Sequence, residues 1–187
     1  MKNYLILGIA TIIFTFSPST QAAGKNIKFG MSIPRLTLVE YEQKLGIPLL
    51  SAYINYGTGS PKIESQKTSI SGVGLGARLN IPILGYIGLG YGMLNVDYSY
   101  IEPTQKVSIN AGSRVDVDGS MNGLVIEYGK TFSIGPVLIG GSLGALLGKP
   151  SLTGKVNGIK VTSSEIDAGL ANVEWLPQVG FYLGYSF

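Results

Sequence analysis

The stretch from Val173 to Phe187 alternates in side-chain character almost without a break. Its odd positions are Val173, Trp175, Pro177, Val179, Phe181, Leu183, Tyr185 and Phe187. Its even positions are Glu174, Leu176, Gln178, Gly180, Tyr182, Gly184 and Ser186. Successive side chains of a strand point to opposite faces, so a period of two predicts one long strand with an apolar, aromatic face and a mostly polar or small one. A helix would scatter the same residues around its axis.

The pattern recurs. Val73, Leu75, Ala77, Leu79 and Ile81 oppose Gly72, Gly74, Gly76, Arg78 and Asn80. Ile87, Leu89, Tyr91 and Met93 oppose Gly88, Gly90 and Gly92, and Leu124, Ile126 and Tyr128 oppose Val125, Glu127 and Gly129. Ile139, Leu143, Ala145 and Leu147 oppose Gly140, Ser142 and Gly144. In a water-soluble sheet the second face would carry Lys, Glu and Thr. Here it is largely glycine, of which the chain has 27, as the crowded interior of a narrow barrel requires. The first face has the large apolar groups and aromatic girdles of a lipid-facing surface. In hydrocarbon every backbone N–H and C=O must be paired, which leaves helices or closed barrels. Beyond the N-terminus no run approaches the ~18 apolar residues of a membrane helix. The expected fold is therefore all-β: a closed, antiparallel, up-and-down transmembrane barrel.

The N-terminus reads as a secretory signal. Lys2 supplies the positive start, Tyr4 to Phe16 the apolar run, and Thr20-Gln21-Ala22 a small-residue cleavage site. The apolar run is shorter than the ~20 residues of a spanning helix. Residues 1–22 are thus expected to be removed, leaving 23–187 as one barrel domain. There is no Cys, so disulfides and thiol chemistry are excluded. The net charge of +3 is small and no Lys/Arg cluster appears, which argues against a nucleic-acid partner.

A hairpin motif repeats. Leu38–Leu50 and Val125–Leu138 each hold a Glu-Tyr pair, a basic residue, a tight Gly/Pro turn and an apolar return, and Arg78–Tyr86 looks like a third copy. Short turns of this kind suit the periplasmic side, and the polar stretches Thr58–Ser69, Glu102–Ser120 and Lys149–Glu165 suit the outer side. Eight strands are expected, over 27–33, 36–44, 49–57, 70–80, 85–100, 121–132, 137–148 and 166–187. Pro34-Arg35 must then serve as a very short outer loop. Between Met93 and Leu94 the apolar parity switches, since Leu94, Val96, Tyr98 and Tyr100 are even. That marks either a bulge or the strand leaving the bilayer.

The end of the chain resembles the assembly signal of outer-membrane barrel proteins: a polar residue, glycine two later, alternating hydrophobics and a terminal aromatic. Gln178, Gly180, Leu183, Tyr185 and Phe187 fill those places. With Trp175 and the hairpin repeat, the mature chain resembles the small OmpA/OmpX-like, porin-family barrels. The resemblance implies recognition by the barrel-assembly machinery, contact with outer-membrane lipids, and residence in the bacterial outer membrane. Full OmpA proteins continue into a peptidoglycan-binding domain; none is expected after Phe187.

Chemistry-bearing motifs are few. There is no His, the residue whose pKa suits general acid–base work near neutrality. Barrel enzymes of this superfamily resemble one another in using it, so no catalytic residue is assigned. Gly72-Val73-Gly74-Leu75-Gly76 and Gly88-Leu89-Gly90-Tyr91-Gly92 lie in strands with no following helix and are not phosphate loops. Asp116-Val117-Asp118-Gly119 lacks the other ligands of a calcium loop. No cofactor or metal is expected. Alternation places Glu40, Glu42, Arg78, Glu127 and Glu174 inward, where they should pair with one another or with Lys44 or Lys130. An eight-stranded interior is about wide enough for side chains to fill, so this set is expected to be a structural polar core. The leading expectation is a non-catalytic outer-membrane barrel with a structural role or one of surface interaction through its outer loops. The alternative is a small OmpW-like channel for apolar or small solutes; a lipid-modifying enzyme is disfavoured by the missing His.

Overall fold

A computed structural model describes residues 24–63, 66–101, 112–161 and 173–187. The expected signal peptide, residues 1–22, lies outside them, as do 64–65, 102–111 and 162–165 of the expected outer stretches and 166–172 at the start of the expected last strand. The described residues form one antiparallel sheet of ten strands: β1 (Lys25–Ile33), β2 (Leu38–Lys44), β3 (Leu50–Gly59), β4 (Lys62–Ile63), β5 (Gln66–Ile81), β6 (Gly85–Ile101), β7 (Arg114–Ile134), β8 (Val137–Val156), β9 (Ile159–Val161) and β10 (Trp175–Ser186). The two short strands, β4 and β9, pair at hairpin tips with β5 and β8. The other eight run β10-β1-β2-β3-β5-β6-β7-β8, and β10 also pairs with β8. The sheet closes. It is an eight-stranded up-and-down barrel.

Closure depends on the two ends of the chain. β1 and β10 pair from Asn26↔Ser186 to Ile33↔Val179, and Lys25 and Phe187 exchange backbone hydrogen bonds of 3.0 and 2.9 Å beyond that register. The first hairpin turns through Pro34 to Thr37, held by Ser32 N donating to Leu36 O. The other end has tight turns after β2, β5 and β7; Gly135 in the last adopts φ 60°, a left-handed conformation that glycine takes without strain.

Alternation assigns the faces as expected. Phe29, Leu75, Leu89, Leu143 and Leu183 are exposed on the outside, while Lys28, Tyr53, Arg78, Tyr86, Leu146 and Tyr182 are buried inside. The outward row Leu75↔Tyr91↔Leu124↔Leu147↔Trp175 is wholly apolar. Two rows further toward the tips, Ser71↔Asn95↔Ser120↔Ser151 is wholly polar, followed by Ser69↔Asp97↔Asp118↔Thr153. Inside, Val125 and Leu146, beside the apolar row in register, join Leu94 and Met121 nearer the polar rows in an apolar cluster, with Ile70, Val96 and Leu176 against it. Val115 and Val117 make a second with Tyr100, Leu152 and Val156. The same sheet is apolar-out in its lower part and apolar-in above. The first arrangement suits hydrocarbon and the second suits water.

This inversion decides between two alternatives left by the sequence and corrects one expectation. The register through Met93 and Leu94 is unbroken on both sides, so there is no bulge. The parity switch is the strand leaving the bilayer. Described parts of the expected outer stretches are strand and not loop: Arg114–Ser120 belongs to β7 and Lys149–Val156 to β8, because their period two survives with its polarity reversed. At the end of the chain the strand begins at Trp175, with Val173 and Glu174 outside it.

Candidate functional site

The charged side chains of the polar interior come from four strands, β1, β2, β5 and β7. Glu40 and Glu42, two apart on β2, share the inward face; Lys28 of β1 stands opposite Glu40 in register. Arg78 of β5 pairs with Ser51 of β3 on one side and Gly88 of β6 on the other. Glu127 of β7 faces Gly88 in turn, so the missing side chain at Gly88 lets Arg78 and Glu127 meet across it.

The contacts are dense. Arg78 binds Glu40 through both terminal nitrogens, with Nη2 2.7 Å from Oε2 and Nη1 on Oε1, and its Nε donates to Glu127 at 2.6 Å. Lys28 Nζ donates to Glu40 at 3.0 Å and to Glu42 at 2.5 Å, and Ser51 Oγ donates to Glu42 at 2.5 Å. The guanidinium carbon lies 4.1 Å from the Tyr53 ring centre and 4.5 Å from that of Tyr86, and Lys28 Nζ lies 4.8 Å from that of Tyr182. A planar, forked, weakly hydrated cation suits such a bidentate, ring-stacked place better than lysine would.

A third cation stands above. Arg35, from the short first loop, is buried and donates Nη1 to Asn55 Oδ1 at 2.8 Å. Its stem runs over Gly57 and Gly72, where a Cβ would come within 2.9 Å of Arg35 atoms. Those two glycines make the trench that admits it. Between Arg35 and the Arg78 cluster lies a cavity of about 30 Å³, lined also by Ser32, Leu94, Val125 and Leu146. Ser32 Oγ and Arg35 Nε, both lining residues, have no hydrogen-bond partner. The space has room for about one or two water molecules. Chemically, the cluster neutralises three interior carboxylates with two cations in contact and one nearby.

Of the expected interior set, Glu40, Glu42, Arg78 and Glu127 come together. Glu174 does not: it is exposed just before β10, and its carbonyl accepts from Gly148 N. Lys44 and Lys130 are not the partners either; both are exposed. Lys28 and Arg35 take those roles. Lys28 was legible, since it alternates with outward Ile27, Phe29 and Met31, whereas nothing local marks Arg35 as inward. In the terminal strand Gly180 is buried, Gln178 half-buried, and Leu183, Tyr185 and Phe187 exposed on the apolar face. On the outward face of the protruding sheet, hydrogen bonds from Ser99 (2.6 Å) and Arg114 (2.9 Å) hold the Asp116 carboxyl below its usual pKa.

No protein-family model and no curated protein sequence matches the chain. Solved structures do. A major outer membrane protein from Thermus thermophilus superposes with a TM-score of 0.55 at 13% identity, over 89% of this chain and 100% of that one. Acinetobacter baumannii CarO2 gives 0.47 at 14%, over 88% and 98%, and the Yersinia pestis outer membrane protein Ail gives 0.41 at 11%, over 89% and 100%. At such identities the likeness is one of fold: the small eight-stranded barrel of outer-membrane proteins.

Proposed function

We propose that this chain is a non-catalytic outer-membrane barrel whose lumen is closed and whose outer sheet meets surface partners or supports the envelope. The observation carrying this reading is the filled interior, with a compact ion cluster below, an apolar cluster above and about 30 Å³ between them. Ions crossing would have to break buried pairs and then cross a dry constriction. Export by a signal peptide cleaved after Ala22, and insertion by the barrel-assembly machinery through Gln178, Gly180, Leu183, Tyr185 and Phe187, belong to the same proposal. Their support is the small-residue cleavage pattern and the exposed, ladder-paired terminus.

Planar-bilayer recording of the purified protein tests closure. We expect no unitary steps; reproducible steps would favour the channel reading. Turnover of phospholipid or lipid A, absent on this proposal, would replace it with an enzymatic one. A heat-modifiable gel shift from outer-membrane extracts is expected, and recovery in the soluble periplasmic fraction would reject residence in the membrane.

A further inference from the structure

The three turns at the end opposite the protruding sheet are apolar. They read Leu45-Gly46-Ile47-Pro48-Leu49, Pro82-Ile83-Leu84 and Ile134-Gly135-Pro136-Val137, and Ile47, Ile83 and Ile134 are exposed in them. A turn that faces water is usually made of Gly, Pro, Asn, Asp and Ser. The backbone does not ask for Leu and Ile here, and at two places it resists them. Leu49 and Ile83 adopt φ 67° and 70°, the left-handed region that Gly or Asn occupies more readily and in which a β-branched residue is strained. Yet Ile83 is 89% exposed, so packing inside the protein does not compensate. Its apolar contacts lie outside the chain.

Height says what those contacts are. The polar row Ser71↔Asn95↔Ser120↔Ser151 marks the upper edge of the apolar belt. Below it, Val73 opens the apolar face of β5 ten residues from Ile83, and Leu124 opens that of β7 ten residues from Ile134. A strand rises about 3.3 Å per residue and tilts by about 35–45° in such barrels, so ten residues cover roughly 25 Å of height. That is about the whole apolar band of an outer-membrane barrel. The band therefore ends at the tips of the turns and not above them. A docking site for a protein would be set off by a polar rim, whereas the apolar surface here runs from Leu75 through Leu79 to Ile83 without one.

Charge agrees. Among the described acidic side chains, Glu40, Glu42 and Glu127 are interior, and Asp97, Asp116, Asp118 and Glu174 lie at the opposite end. The turn end has Lys25, Lys44 and Lys130 and no described acid. A lysine lays its stem along apolar surface and carries its ammonium to the lipid phosphates.

We infer that the three turns are a membrane-docking surface, seated in the leaflet on their side with Ile47, Ile83 and Ile134 among the acyl chains and the lysines at the phosphates. This end of the barrel then does not project into the periplasm, and the protruding sheet is the face left for a protein partner. The inference rests on the reading of the barrel as membrane-spanning.

Depth-dependent fluorescence quenching of the full barrel, refolded in phosphatidylcholine vesicles, tests it. Trp175, the one tryptophan, is replaced by Trp175→Phe, and Ile47→Trp, Leu89→Trp and Thr153→Trp are each made in that background. We expect Ile47→Trp to be quenched by lipid brominated near the headgroup and shielded from acrylamide. Leu89→Trp should be quenched by lipid brominated near mid-chain, and Thr153→Trp, on the protruding sheet, by acrylamide alone. Ile47→Trp open to acrylamide and untouched by brominated lipid would overturn the inference, and shielding from both would put a second copy in place of the leaflet. A Leu89→Trp that no brominated lipid quenches would instead overturn the membrane-spanning reading. Ile83→Asn gives an independent sign. Asparagine accepts the left-handed backbone, so in a turn facing water it should leave the urea midpoint unchanged or raise it. With the turn in the leaflet, the midpoint in vesicles should fall; an unchanged or raised midpoint would overturn the docking surface.

Discussion

Arg78 is almost wholly removed from water, yet its charge meets Glu40 twice and Glu127 once, with Tyr53 and Tyr86 against its faces. Removing one partner from such a cluster leaves carboxylates buried and unpaired, an effect of about 3–5 kcal/mol. Arg78→Ala should therefore lower barrel stability by that order, read from the urea midpoint in lipid vesicles. Arg78→Lys should recover little of it, because one ammonium cannot replace the fork and both ring faces. Glu174→Gln, outside the cluster, should change stability by less than about 0.5 kcal/mol. A large loss in Glu174→Gln with none in Arg78→Ala would reject the cluster as placed. The carboxylate half of this site was legible because strand parity reports which face a residue occupies. Its cations were less so: Lys28 follows the same parity, but Arg35 enters from a loop, where no period applies.

At the scale of a strand, β6 separates what parity tells from what it does not. Leu89 and Asn95 point to the same, outward face of one unbroken strand. Period two alone cannot say which solvent that face meets, which is why the switch at Met93 and Leu94 left a bulge open as an explanation. The neighbours settle it: Leu89 sits among Ile87, Ala77 and Ile126, and Asn95 among Ser71 and Ser120. Leu89→Arg should therefore destabilise the barrel in vesicles by about 2–4 kcal/mol, as a charge on a lipid-facing mid-membrane position does. Asn95→Arg, on the same face of the same strand, should lie within about 0.5 kcal/mol of the wild type. Equal effects at the two positions would mean that the bilayer edge lies elsewhere. The strands themselves were legible nearly to their ends, except where β7 and β8 rise out of the membrane with their polarity exchanged.

On the closed-lumen reading proposed above, the barrel has two barriers in series along one axis, and they act for different reasons. The upper one, Leu94, Met121, Val125 and Leu146, excludes ions because a narrow apolar passage does not hold water. The lower one, centred on Arg78, excludes them by filling the lumen with paired charge. Opening one leaves the other intact. Leu94→Ala and Leu146→Ala should thus each weaken folding by about 2–5 kcal/mol through the cavity they create, and neither should conduct in a planar bilayer. Combining Leu146→Ala with Glu127→Gln, which frees Arg78 Nε from its carboxylate, weakens both barriers and is the combination expected to give ion-dependent leak. Steps from Leu146→Ala alone would show that the charged cluster does not block the lumen. The protein would then be a channel closed by its apolar plug, and its ion cluster would line the path.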